Sequence, residues 1–259
     1  MRGLMCFLSA GAVLCAHGVS AQMQPHKAEY ILRLGAAANA PRIGTATEDL
    51  TLTCDGWHLK RDVKGEVPIS TALKFNVASS LDSEERRSGD VLHYRSLQVQ
   101  NGAEREVRGR VQRLGEEMRA DIVSPDGPVQ VLLPAPTLMP VASINHIIDR
   151  LRAGSSAFPT LTFDAQVIGD AFRVDVARTD DNAIRRRPPA DKPMTVPGPS
   201  WPVLMSFRRG SAHGQKPLFT FSARLFESGV LDRVTVDADL VTVTADLQTL
   251  ELRSPPSCR

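Results

Sequence analysis

The sequence lacks every compact signature of catalysis or metal binding that local spacing can reveal. Past residue 21 there are five histidines, His26, His58, His93, His146 and His213, and no two lie within a few residues of each other. That excludes a helical histidine pair and a Cys–His cluster at zinc spacing. No Gly-x-Ser-x-Gly elbow occurs, since Gly210-Ser211-Ala212-His213-Gly214 has only the outline of a polar loop. Walker and dinucleotide glycine patterns are absent. A hydrolase would need a site assembled from distant parts of the chain, recognisable by geometry alone. The sequence therefore predicts no enzyme, no cofactor and no metal, with an exported hydrolase of dispersed site as the remote alternative.

Charge excess and long apolar runs are missing as well. Lysine plus arginine number 31 against 29 aspartate plus glutamate, a balance that gives no long-range attraction for nucleic acid or anionic membrane. The one long apolar stretch, Leu4–Ala16, falls short of the ~20 residues that span a bilayer. Arg2 precedes it and Val19-Ser20-Ala21 follows, so residues 1–21 read as a signal peptide cleaved before Gln22. Leu14, ahead of Cys15, is the wrong neighbour for a lipid-modified cysteine. The expectation is a soluble, monomeric periplasmic protein whose residues 22–259 form one domain.

Cysteine is scarce, and its placement is informative. Of four cysteines, Cys6 and Cys15 fall in the signal region, leaving Cys54 and Cys258. One pair of thiols near opposite ends of an exported chain predicts a single closing disulfide. In Cys54-Asp55-Gly56-Trp57, the Asp-Gly pair marks a turn, and Trp57 is expected to pack over the bond and shield it from water. Glu227-Ser228-Gly229-Val230 reads as a tight turn with Gly229 at positive φ.

What the chain has in abundance is period-two alternation. Ala28, Tyr30, Leu32 and Leu34 share one face, with Lys27, Glu29 and Arg33 predicted toward water. Leu50, Leu52 and Cys54 repeat the pattern. Val234, Val236, Ala238 and Leu240 do so again, and after a phase shift at Val241 so do Val243, Ala245 and Leu247. Turn signals recur about every ten residues, Asn101-Gly102 the strongest, which predicts an antiparallel meander curled into a barrel or sandwich. From Pro140 the spacing turns helical through Val141, Ile144, Ile147, Ile148 and Leu151, stopping at Gly154. Ser143, Asn145, Asp149, Arg150 and Arg152 form its polar face, and the helix is expected to cap or plug the curled sheet. Residues 184–202, with Arg185-Arg186-Arg187 and six prolines, read as a solvated surface loop that cannot join a sheet.

Taken together, several segments resemble one family. They are His26-x-Ala28-x-Tyr30-x-Leu32-x-Leu34, Cys54-Asp55-Gly56-Trp57, and Leu133-Pro134 with the helix and Phe163-Asp164. Trp201-Pro202-Val203, Phe226-Glu227-Ser228-Gly229-Val230, and Leu247-x-x-Leu250-x-Leu252 before Cys258 complete the set. The family is the EipB-type cell-envelope integrity proteins, which carry a domain of unknown function, and the resemblance runs in order over residues 25–258. It implies a mainly β fold, an antiparallel sheet spiralling into a half-open barrel around short helical elements. It also implies a Cys54–Cys258 disulfide, a periplasmic location, and a non-enzymatic part in envelope integrity. The partner would be an envelope lipid, lipoprotein or protein bound on the concave face, or protein alone if the interior is filled. The chain departs from the family pattern at Asp237-Ala238-Asp239-Leu240-Val241, where an aromatic and a glycine are usual, and at Phe163-Asp164-Ala165, where glycine usually ends the triplet.

Overall fold

Alternating apolar side chains become sheet along most of the chain. The computed structural model describes residues 23–68, 74–165, 171–188, 194–210 and 216–258, in which fifteen strands form one sheet. The expected signal peptide and the cleavage point before Gln22 lie outside the described residues, as do Pro189, Pro193 and His213. A first meander runs β1 (His26–Leu34), β2 (Arg42–Leu52), β3 (Gly56–Pro68), β4 (Lys74–Arg86), β5 (Val91–Gln100), β6 (Ala103–Leu114), β7 (Glu117–Ser124) and β8 (Gly127–Leu133). Then come β9 (Thr137–Leu138) and helix α1 (Pro140–Arg152). A second meander follows: β10 (Ala157–Thr162), β11 (Phe172–Arg178), β12 (Ser200–Arg209), β13 (Phe219–Phe226), β14 (Leu231–Asp237) and β15 (Thr242–Leu252).

The two meanders are joined where β1 pairs antiparallel with both β2 and β15. The sheet order accordingly starts at β8 and ends at β9. Only Pro134-Ala135-Pro136 separates these strands in sequence, so the two edges meet there. The sheet is a half-open barrel, nearly closed, with one unsealed seam. Arg113 on β6 reaches the joint, donating from its guanidinium to the carbonyl oxygens of Ala135 and of Thr137, the latter at 2.7 Å.

The turns follow their residues. Asn101 and Gly102 both take positive φ, 47° and 85°, as a two-residue hairpin with matching twist requires. The phase shift at Val241 is a hairpin: β14 stops at Asp237, and Leu240, expected on the apolar face, stands 97% exposed at the tip.

Inside the barrel, His26, Ala28, Tyr30 and Leu32 are buried along one face of β1, and Leu34 is half-buried at its end. Helix α1 plugs the interior through Val141, Ile147, Ile148 and Leu151, all in the main core cluster. Ser143, expected on the polar face, is buried too, because the plug is enclosed over more than a single stripe.

The Arg/Pro-rich segment departs most from expectation. Pro202 is part of β12, opposite Arg224 on β13. Its carbonyl accepts from Thr179, so its donorless nitrogen points the same way, at the rung just past the end of β11, where at most one ladder bond is forgone. Nor is the arginine run wholly solvated: Arg186 is exposed, but its two neighbours are not. Arg185 pairs with Asp246 on β15, and Arg187 donates to Asp232 on β14 at 2.6 Å and to the Leu247 carbonyl at the same distance. Their side chains are only 7% and 14% exposed. Under this cover Thr244 and Asp246 are buried, and Arg33, expected to face water, lies 3.8 Å from Asp246 instead.

Candidate binding cavity

The curled sheet and α1 do not fill the interior. Between them is a cavity of about 220 Å³ with an apolar end and a polar end. The apolar end is aromatic: Phe207 and Phe219 stack at 4.5 Å between ring centroids, Phe172 meets both edge-on at 5.9 Å, and Phe221 lies 6.5 Å from Phe207. Offset and edge-on packing of this kind is how ring quadrupoles attract. Ile144 and Ile147 of α1 and Leu231 of β14 also line the cavity.

At the polar end stand His26, Glu48, Arg61 and Asp164. Register explains why the first three meet. His26 opposes Leu50 and Glu48 opposes Arg61, so both charges project inward with Leu50, Leu52, Trp57 and Leu59. Arg61 donates to Glu48 Oε2 from Nε at 3.0 Å and from Nη2 at 2.8 Å. Burial would raise the Glu48 carboxyl, but the Arg61 charge and His26 reverse this and hold it at about 2. Glu48 in turn raises the Arg61 guanidinium above its ordinary value against the effect of burial. The Tyr30 hydroxyl nearby is pushed well up, by burial first and then by Glu48. The pair is therefore ionised across the ordinary pH range.

Of the cysteines and turn motifs singled out in the sequence, only Gly229 lines this cavity. Cys54 and Cys258 form a disulfide with Cα atoms 5.5 Å apart. Trp57 does not shield it: Trp57 turns into the core, while Cys54, Asp55 and Cys258 are exposed. The physical reason is parity, because Trp57 follows the turn on an inward-facing position opposite Leu52. Thr53 holds that turn, accepting the Gly56 N–H on Oγ1 at 3.1 Å. Gly56 has a second reason to be glycine, since a Cβ there would sit 2.1 Å from the Glu85 carbonyl oxygen. Gly229, at φ +90°, lines the cavity beside Met23.

Sequence reasoning missed Glu48, Arg61 and Glu85 as site residues. Glu85 is 3% exposed and accepts the N–H groups of Val141 and Ala142, both at 2.7 Å. It thereby fixes the start of α1 over the cavity. A signal existed: each is a charged residue in phase with apolar neighbours on an inward strand face, where a charge is costly without a partner. Among the described residues there is no group of three metal-ligating side chains, and no helix is long and apolar enough to cross a membrane.

These features define a class: a seamed, helix-plugged antiparallel β-barrel with a polar-ended apolar interior. The chain belongs to the EipB-like family, whose profile matches residues 18–254. Its fold is similar to that of a crystallised β-barrel-like protein of a domain of unknown function, DUF1849, from Brucella abortus. That likeness has a TM-score of 0.74 at 16% identity and covers 90% of this chain and 99% of the other. A search of curated proteins returns no match.

Proposed function

We propose that this protein is a non-enzymatic periplasmic factor that supports cell-envelope integrity by holding an envelope component, an acyl chain or amphipathic segment, in its barrel. The observation that carries this reading is the cavity itself, apolar and aromatic at one end, charged at the other, beneath a helix in an unsealed barrel. Small-ligand sites have this character: largely apolar walls and a few placed polar groups. The exposed Cys54–Cys258 disulfide accords with an oxidising compartment, as does the signal peptide read from residues 1–21. A wholly structural adaptor would have no use for open apolar volume of this kind.

The test is to incubate the purified protein with envelope lipid extract and identify by mass spectrometry what co-elutes. Ile144→Trp, which places an indole in the cavity, is the control. Lipid retained by the native protein and lost in the folded variant is the expected result. Equal recovery from both, or none from either, would overturn the reading.

A further inference from the structure

We infer that the end of the barrel remote from the α1 anchorage docks on a phospholipid bilayer, with Leu240 and Val241 of the β14–β15 turn inserted among the lipids. This rests on the lipid-binding reading above and extends it to the route by which an acyl chain arrives. Helix α1 is fastened to one end of the barrel at both of its own ends. Glu85, one residue from the end of β4, caps its start, and its last residue, Arg152, pairs at 2.8 Å with Glu227, just past β13. At the other end the antiparallel ladders gather the β1–β2 turn, the β14–β15 turn and the segment entering β13. The Gly35 N–H donates to the Thr242 carbonyl at 2.7 Å, and Lys216 pairs with Asp239 at 2.8 Å. Leu240 is 97% exposed there, and Leu218 and Val241 nearly half. One exposed leucine is ordinary, but a group of them on neighbouring turns marks a docking surface.

The turn is made for lipid in two respects. Its backbone donors are satisfied within it: the Ala238 N–H goes to the Val241 carbonyl, that of Leu240 to the Ala238 carbonyl, and that of Asp239 to Asp237 Oδ1 at 3.2 Å. Backbone groups left unpaired are what a bilayer penalises most, and here the tip can leave water with its side chains alone. Its charges also suit the headgroup layer. Lys216 neutralises Asp239, and exposed arginines flank the hairpin in the sheet order, Arg42 at the start of β2 and Arg209 at the end of β12. A projecting apolar tip with cations beside it matches hydrocarbon under phosphate. The near-balanced total charge gives no long-range pull, so insertion carries the contact and the arginines add to it at short range.

The same end of the barrel holds the aromatic wall of the cavity. Phe219 directly follows Leu218 and opposes Phe207, and Phe172 opens β11. An acyl chain leaving the bilayer at this surface meets the aromatic rings before the charged groups.

The experiment sediments the protein with sucrose-loaded vesicles of phosphatidylethanolamine and phosphatidylglycerol. In parallel, dansyl-undecanoic acid is titrated into vesicle-free protein to report on the cavity. The native protein should sediment with the vesicles. Leu240→Asp should weaken that binding about tenfold or more, as the loss of one buried leucine implies, and leave dansyl-undecanoic acid binding unchanged. Ile144→Trp should do the reverse. Native protein that stays in the supernatant, or Leu240→Asp that sediments as the native protein does, overturns the inference. So does self-association that needs Leu240 without any vesicle binding, which assigns the turn to a second copy. Vesicle binding that needs Leu240, in a protein that takes up no dansyl-undecanoic acid, removes the cavity reading and leaves the docking surface standing.

Discussion

Glu85 on β4 accepts a 2.7 Å hydrogen bond from the backbone N–H of Val141, the second residue of α1. Its other carboxylate oxygen takes the N–H of Ala142. The first turn of a helix has N–H groups without intrahelical partners, and Met139 at the N-cap offers none from its side chain. A strand of the barrel therefore supplies the cap of the helix that plugs it. The start of α1 is thereby tied to the inner face of β4.

That cap makes stability depend on pH. Burial pushes the Glu85 carboxyl up to about 7, although the two backbone donors pull it back. With the folded value above the unfolded one, near 4.5, the contribution is fully present below pH 4.5 and is lost as pH rises through 7. At most it is about 3 kcal/mol. Urea unfolding from pH 4.5 to 7.5 should show this decline, and Glu85→Gln should flatten it. An unaltered slope in the variant would place the titration elsewhere.

The disulfide spans nearly the whole described chain, with a sequence separation of 204. Loop-closure entropy then gives a ceiling of roughly 5 kcal/mol. Cys54→Ser, Cys258→Ser and the double mutant should lower the melting temperature equally, since each removes the same bond. Additive losses would show two separate roles. The barrel should not open at β1–β15, because that ladder is paired along all of β1. Arg253 also holds the tail independently, at 2.6 Å from Asp49 and 2.8 Å from the Pro25 carbonyl. Proteolysis of the reduced protein should release only residues beyond Arg253.

Gly56 is required by close approach rather than by φ. Gly56→Ala would drive a methyl into the Glu85 carbonyl oxygen and to 2.9 Å from the Arg86 Cα. Overpacking against backbone should cost about 3 kcal/mol or more. Gly102→Ala, which meets only open space but at φ +85°, should cost about 1 kcal/mol. Chemical denaturation of both separates the two causes, and equal losses would contradict the close-approach account.

The arginine-rich segment should be strongly coupled to the sheet beneath it. Arg185→Met withdraws a buried cation from Asp246, which is 0% exposed. Breaking such a pair typically costs about 3–5 kcal/mol. A double-mutant cycle with Asp246→Asn should give a coupling above about 1 kcal/mol. Coupling near zero would return this arginine to the solvated role that its sequence context implies.

Strand faces, turns and the helix were legible because each rests on a local period or on a residue with a backbone preference. Ala28, Tyr30 and Leu32, Asn101-Gly102, and Pro140 with Gly154 are such cases. Arg33, Arg185 and Asp246 were not, because their burial depends on a loop folding over a strand some sixty residues away, which no local pattern encodes. Pro202 misled because a missing donor matters only where a neighbouring strand continues. The polar end of the cavity was half legible. Glu48 and Arg61 interrupt apolar faces in plain sight, but that they oppose each other follows from the β2–β3 register.

The joining of β1 to β15 also has a consequence for the order of assembly. The first eight strands close only on their predecessors, through short hairpins that form quickly. The outer edge of β1 stays without its partner until β15, the last of the described strands in chain order, has paired with it. An unpaired strand edge is a template for any other extended chain. A chain ending anywhere between β8 and β15 would leave that edge of β1 open. In this barrel, the end of the chain protects the beginning.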